Sequence, residues 1–218
     1  MFDYLCYQPI DSYTPKLDST PLSYIRILQE SQGLKAADVY LNSRPAVKKL
    51  RFKKFTPYFN IPAGQYRMDV FRAGMVSNSL ANIEFTLNPG LIYTAVIEGA
   101  AGNRLLLVED SRIKAVEGIT NIRFINISPE MSSFDAVPSG GGAPFQGISY
   151  RVIPEYKAIK PGKYTFLINP DNMSKPVLVI PELSLNSEWN YTIYILGIPG
   201  TKAGLQSILL IDGNTYIK

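Results

Sequence analysis

The sequence predicts an all-β protein made of two copies of one sandwich domain behind an extended N-terminal arm. Three observations carry this. Runs rich in Ile, Val, Tyr, Phe and Thr recur about every 10–15 residues between Pro-Gly, Ala-Gly and Asn-Pro-Gly turn signals. The 14 tyrosines and 10 phenylalanines among 218 residues favour sheet over helix. Five blocks of the first half return in the second at nearly constant spacing, the mark of an internal repeat.

The arm comprises residues 1–21, which have no counterpart before the second copy. Pro9, Pro15 and Pro21 argue against a helix. Phe2, Tyr4, Leu5, Cys6, Tyr7 and Ile10 make the stretch too apolar and aromatic for an ordinary disordered tail, so it reads as an extended segment that docks on something through these residues. Cys6 is the single cysteine, which excludes an internal disulfide. It is either a passive thiol or, in an oxidising setting, a cross-link to a neighbouring chain.

The first copy spans residues 22–112 and the second residues 118–218, with a short linker around 111–120. Tyr24-Ile25-Arg26-Ile27 recurs as Asn121-Ile122-Arg123-Phe124, and Ala37-Asp38-Val39-Tyr40 more weakly as Phe134-Asp135-Ala136-Val137. Ile61-Pro62-Ala63-Gly64-Gln65-Tyr66 returns as Ile159-Lys160-Pro161-Gly162-Lys163-Tyr164. Near the end of each copy, Leu87 to Thr94 matches Leu185 to Thr192, and Leu105 to Asp110 matches Ser207 to Asp212. Within the first copy Tyr66, Met68 and Val70 alternate with Arg67 and Asp69, and Ile83, Phe85 and Leu87 with Glu84 and Thr86, as half-buried strands do. About seven strands per copy is the arithmetic of an immunoglobulin-like sandwich. Tyr93 follows Leu87, and Tyr191 follows Leu185, at the spacing of a tyrosine corner, whose hydroxyl bonds back to upstream backbone.

The net charge of +4 is concentrated before the linker. Arg44, Lys48, Lys49, Arg51, Lys53 and Lys54 stand close together with no acid between them. Such a cluster is either a patch for nucleic acid or another anionic surface, or a solvated strand edge whose lysines block edge-to-edge pairing. No nucleic-acid motif accompanies it, so no nucleic-acid partner is expected. No apolar run approaches the ~18 residues that span a bilayer, so no membrane span is expected either. The first nine residues lack the features of a Sec signal. The expectation is a surface or extracellular protein released by another route, with a cytoplasmic protein as the alternative.

The absence of histidine removes Ser-His-Asp and Cys-His catalysis and every His-ligated metal site. Carboxylate pairs stay formally open, yet Asp38 and Asp135 occupy equivalent positions, as do Asp110 and Asp212, which argues for shared structural jobs such as backbone hydrogen bonds. Arg26 and Arg123 lie mid-strand between apolar neighbours and are expected to pair with Asp38 and Asp135 as scaffolding. Ser139-Gly140-Gly141-Gly142 lacks the Lys-Ser/Thr of a phosphate-binding loop. Trp189, the single tryptophan, reads as core or corner packing, with a sugar-stacking platform as the minority alternative. No enzyme, no cofactor and no metal site are expected.

Taken together, Ile25-Arg26-Ile27, Asp38-Val39-Tyr40-Leu41-Asn42, Pro62-Ala63-Gly64-Gln65-Tyr66 and Gly90-Leu91-Ile92-Tyr93-Thr94 resemble the bacterial family known as domain of unknown function 4397. The second copy keeps Ile122-Arg123-Phe124, Pro161-Gly162-Lys163-Tyr164 and Tyr191-Thr192 and blurs the Asp-Val-Tyr strand. The resemblance implies tandem immunoglobulin-like domains on exported or surface proteins, without established catalysis. Two functional expectations follow. One is a structural surface protein that self-assembles through its arm, as a spore-coat or appendage subunit. The other is a monomeric adhesin-like module that binds glycan or protein through sandwich loops.

Overall fold

A computed structural model describes residues 8–9, 21–99, 103–110, 113, 116–142, 144–170, 175–201, 204–215 and 217. The chain divides into two compact units, Met1–Arg112 and Ile113–Lys218. Among the described residues both are all-β, apart from one 3₁₀ turn at Gly213–Thr215.

Unit 1 contains β1 (Gln8–Pro9), β2 (Leu22–Gln29), β3 (Ala36–Leu41), β4 (Arg44–Arg51), β5 (Lys54–Phe55), β6 (Phe59–Pro62), β7 (Gly64–Arg72), β8 (Ala81–Leu87), β9 (Ile92–Glu98) and β10 (Arg104–Asp110). One sheet runs β1-β4-β3-β7-β8; the other runs β10-β9-β2-β5, with β6 also pairing β2. Unit 2 contains β11 (Thr120–Asn126), β12 (Ser133–Pro138), β13 (Phe145–Ser149), β14 (Lys157–Ile159), β15 (Gly162–Pro170), β16 (Leu178–Leu185), β17 (Asn190–Gly197) and β18 (Leu205–Ile211). Its sheets run β13-β12-β15-β16 and β14-β11-β17-β18. With the two-residue strands β1 and β5 set aside, the strand orders of the two units coincide. Each has eight strands, one more than the sequence spacing suggests, because a short strand (β6, β14) follows the edge strand. In each unit the first strand pairs parallel with the seventh, Arg26 opposite Thr94 and Arg123 opposite Thr192. Such a parallel pair needs a long crossover and leaves no local signature in sequence.

The cores lie between the paired sheets. Unit 1 fills its core mainly with aliphatic side chains, among them Ile25, Ile27, Val39, Val47, Met68, Val70 and Ile97. Unit 2 substitutes aromatic volume: the rings of Phe124 and Phe145, and of Phe124 and Phe166, lie 5.0 Å apart edge to face. These geometries add about 0.5–1.5 kcal/mol per pair beyond area burial.

Of the predicted arm, Gln8, Pro9 and Pro21 are described. Gln8 and Pro9 form β1, which pairs antiparallel with Lys48 and Val47 at the edge of β4. Phe2, Tyr4, Leu5, Cys6, Tyr7 and Ile10 lie outside the described residues.

Candidate functional site

On β2 the side chains of Ile25 and Ile27 point into the core, so Arg26 must emerge on the opposite face of the sheet. There it is 2% exposed. Its Nε donates to Thr94 Oγ1 at 2.8 Å on β9, and its guanidinium lies 4.6 Å from the Tyr58 ring centre and 3.8 Å from Asp110 Oδ2. Thr94 Oγ1 donates to Asp110 Oδ2 at 2.9 Å, and the Tyr58 hydroxyl donates to the same oxygen. Unit 2 repeats the arrangement. Arg123 Nε donates to Thr192 Oγ1 at 2.8 Å and its guanidinium lies 4.3 Å from the Tyr156 ring centre. Asp212 Oδ2 accepts from Thr192 at 2.7 Å and from Tyr156 at 2.6 Å. Each cation is thus buried with a carboxylate, a hydroxyl and an aromatic face, the condition under which a buried charge is tolerated.

The expected Arg26–Asp38 and Arg123–Asp135 pairs are corrected by this geometry. β2 and β3 belong to opposite sheets, so an Arg on the outward face of one cannot meet an Asp on the outward face of the other. Asp110 and Asp212, at the ends of the last strands, occupy the acidic positions instead. Tyr58 and Tyr156 escaped the sequence reading, although they precede Ile61 and Ile159, already matched blocks, by the same spacing.

Asp38 and Asp135 hold the edge strand. The Lys49 N–H donates to Asp38 Oδ1 at 2.8 Å, and the Gly147 N–H donates to Asp135 Oδ1 at 2.8 Å. Lys49 (φ +55°) and Gly147 (φ +62°) are left-handed residues of a bulge where two edge-strand residues oppose one inner residue. Asp38 also accepts from Lys48 Nζ at 3.1 Å and the Gly74 N–H at 3.0 Å. Burial alone would raise its pKa, but the Lys49 and Gly74 amides and the Lys48 ammonium outweigh that and hold it below its ordinary value. The Tyr93 hydroxyl accepts from the Asn88 N–H at 3.2 Å and that of Tyr191 from the Asn186 N–H at 3.1 Å. Trp189 packs 5.9 Å from Tyr191, centre to centre. Ser139 to Gly142 join β12 to the bulged edge strand as a turn, the Ser139 N–H donating to the Thr165 carbonyl.

These duplicated groups are consumed by one another. An open groove of about 430 Å³ on unit 1 is different. It is lined by Asn42, Gln65, Tyr66, Arg67, Glu84, Phe85 and Thr86. Asn42 (φ +48°) and Ser43 (φ +64°) form the two-residue turn between β3 and β4, a conformation suited to a tight hairpin. From that turn the Asn42 carboxamide accepts the Arg67 N–H at 2.8 Å and so fixes one end of the groove. The β7–β8 ladder is regular here, Gln65 opposite Thr86 and Arg67 opposite Glu84, which sets four polar side chains on one exposed face. Arg67 is tied to Asp69 at 3.0 Å and lies 3.9 Å from Glu84. In unit 2 the same place holds Lys163, Thr165, Glu182 and Ser184. The ladder there slips between Tyr164 and Phe166, Glu182 (φ +47°) donating its N–H to Thr165 Oγ1 at 3.2 Å.

Among the described residues no three His, Cys, Asp or Glu side chains cluster to hold a metal ion. Glu30, which directly follows β2, is 4% exposed, and neither carboxylate oxygen has a hydrogen-bond partner among the described residues. Burial pushes its pKa up to about 8, opposed by Lys53. No helix of the described residues is long and apolar enough to cross a membrane.

The family model described as Domain of unknown function (DUF4397) matches residues 23–137, more than half of the chain, and the chain belongs to that family. The match covers the sandwich of unit 1 and runs into β12 of unit 2. No curated protein matches the chain. Among solved structures, the Bacillus anthracis TIE protein is 14% identical with a TM-score of 0.26; the match covers 82% of this chain and 33% of that protein, so the chain spans about a third of its length. A proposed cell adhesion protein from Parabacteroides distasonis is 9% identical at a TM-score of 0.26, covering 88% of this chain and 98% of that one. Another from Bacteroides eggerthii is 8% identical at 0.24, covering 88% and 95%.

Proposed function

We propose that this DUF4397 protein is a non-catalytic binding module displayed at a cell surface, an adhesin-like protein whose polar groove on unit 1 takes a glycan chain. The observation that carries this reading is the groove itself. Its exposed Gln65, Glu84 and Thr86 offer amide, carboxylate and hydroxyl groups to a polyol, and the side chains of Gln65 and Thr86 make no hydrogen bond to other described residues. The surface location follows the setting that the family resemblance implies. The groove is built from strands and one hairpin turn rather than from the loops at one end of a sandwich. Unit 2 is read as a second copy of the same domain, supported by its matching strand order and its second Arg-Tyr-Thr-Asp set.

The test is a glycan array with the labelled full chain, followed by NMR titration of any hit. The reading predicts shifts centred on Gln65, Glu84 and Thr86, and loss of binding in Q65A/E84Q. Unchanged glycan mass after long incubation is expected of a non-catalytic module. A flat array, or hits that the double variant binds as well as the parent, would overturn the assignment.

A second reading, self-assembly through the arm, is favoured by one observation: Gln8 and Pro9 already lie as a strand on the β4 edge. The same pairing donated to a second copy would join chains by strand addition. Light-scattering mass after gel filtration, comparing the full chain with one lacking residues 1–21, separates the cases. Large species only for the full chain support assembly; monomers for both dismiss it.

A further inference from the structure

We infer that one end of unit 1 is a docking surface for an anionic lipid bilayer, with the loop after β7 as its apolar tip. The juxtaposition comes from strand register. Ala36 at the start of β3 stands opposite Arg51 at the end of β4, and Ala37 stands opposite Arg72 at the end of β7. The Phe52 N–H donates to the Lys35 carbonyl at 3.3 Å and the Ala73 N–H to the Ala36 carbonyl at 3.0 Å, which keeps the three strand ends together. Lys35, Arg51, Lys53 and Arg72 are all exposed at this end.

The loop that leaves β7 rises from the same place. The Gly74 N–H is anchored to Asp38 and the Met75 N–H to the Arg72 carbonyl at 2.9 Å. Beyond these anchors Met75 is 54% and Val76 74% exposed, although both are apolar and neighbour each other. The described carboxylates at this end, Asp38, Glu30 and Glu98, are all buried, so among the described residues the exposed charge here is positive. An apolar tip on an end that carries exposed cations matches the layered chemistry of an anionic leaflet: acyl chains accept the tip while phosphate and carboxylate headgroups meet Lys and Arg. A nucleic acid would use the cations but would give Met75 and Val76 nothing to enter. That asymmetry decides between the two.

The full chain is tested by sedimentation with vesicles of phosphatidylcholine alone or mixed in equal parts with phosphatidylglycerol, and by gel shift with duplex DNA. Binding is expected to the mixed vesicles only, and to weaken steeply with added salt. K35Q/R72Q should weaken it by roughly tenfold or more, since each cation near such a surface is worth about a factor of five. M75S/V76S should also weaken it while leaving the salt dependence in place. These side chains are exposed, and unchanged melting of both variants would show that the fold is intact. Equal binding to both vesicle types, no vesicle binding, DNA binding without vesicle binding, or full binding by M75S/V76S would each overturn the proposal.

Discussion

At the end of its first strand unit 1 places Glu30 where unit 2 places Ile127. The backbone is the same in both. The Glu30 N–H donates to the Ile97 carbonyl at 2.8 Å and the Ile127 N–H to the Ile195 carbonyl at 2.9 Å. Both side chains are buried, Glu30 at 4% and Ile127 at 3% exposure. Unit 2 therefore satisfies the position with an apolar group, while unit 1 carries an acid with no hydrogen-bond partner among the described residues. The same contrast runs through the β7–β8 and β15–β16 faces, where one unit keeps a regular polar row and the other a bulge. Ladder pairing sets the frame of a sandwich, and side chains on a given frame are then able to diverge.

The largest test of the comparison concerns what the units share. Arg26→Ala and Arg123→Ala each strand a buried carboxylate, and each should cost about 3–5 kcal/mol. Chemical denaturation measures the cost, and hydrogen exchange should show lost amide protection around β2, β9 and β10 for the first and β11, β17 and β18 for the second. A cost below about 1 kcal/mol in one unit would show that its cluster is not a scaffold.

Glu30→Ile transplants the solution of unit 2 into unit 1. The folded-state pKa of about 8 lies above the ordinary 4.5, so the native state binds the proton more tightly than the unfolded chain. Its contribution to stability is full below pH 4.5 and is lost as pH rises towards 8. The variant should thus melt close to the parent in acid and be more stable by several kcal/mol above pH 8. A stability difference that is flat with pH would show that the carboxyl titrates normally.

The bulge clamps differ in load. Asp38 accepts from two amides and Lys48, whereas the bond resolved for Asp135 is the one from Gly147. Asp38→Asn should cost about 2 kcal/mol and Asp135→Asn about 1. Because the folded pKa of Asp38 is lowered, its contribution is present above pH 3.8 and disappears as pH falls below it, so the variant should lose part of the parent's acid sensitivity. Equal costs for the two variants would remove the distinction. An effect as small as that of Asp135→Asn is expected at the corners: Tyr93→Phe and Tyr191→Phe should each cost about 1 kcal/mol by thermal melting, since each removes one neutral hydrogen bond.

Much of the fold was legible because it is local. Alternation of Tyr66, Met68 and Val70, the Asn-Pro-Gly turn and the Leu87–Tyr93 spacing each report on a few consecutive residues. The Arg26 partner was not legible, because a buried guanidinium needs a carboxylate on its own face, and which Asp shares that face depends on sheet membership. The groove was missed for a related reason: Asn42 comes from a turn, Gln65 and Arg67 from one strand and Glu84 and Thr86 from another.

The sequence by itself determined an all-β chain, the repeated blocks and the lack of histidine chemistry, since periodicity, turn residues and composition act over short stretches of chain. Only the tertiary structure decided that the first strand pairs parallel with the seventh, that Asp110 rather than Asp38 faces Arg26, and that Arg51 and Arg72 both stand beside the start of β3. Those outcomes rest on register between strands far apart in sequence, where the free energy lies in cross-strand contacts and shared burial that no single segment encodes.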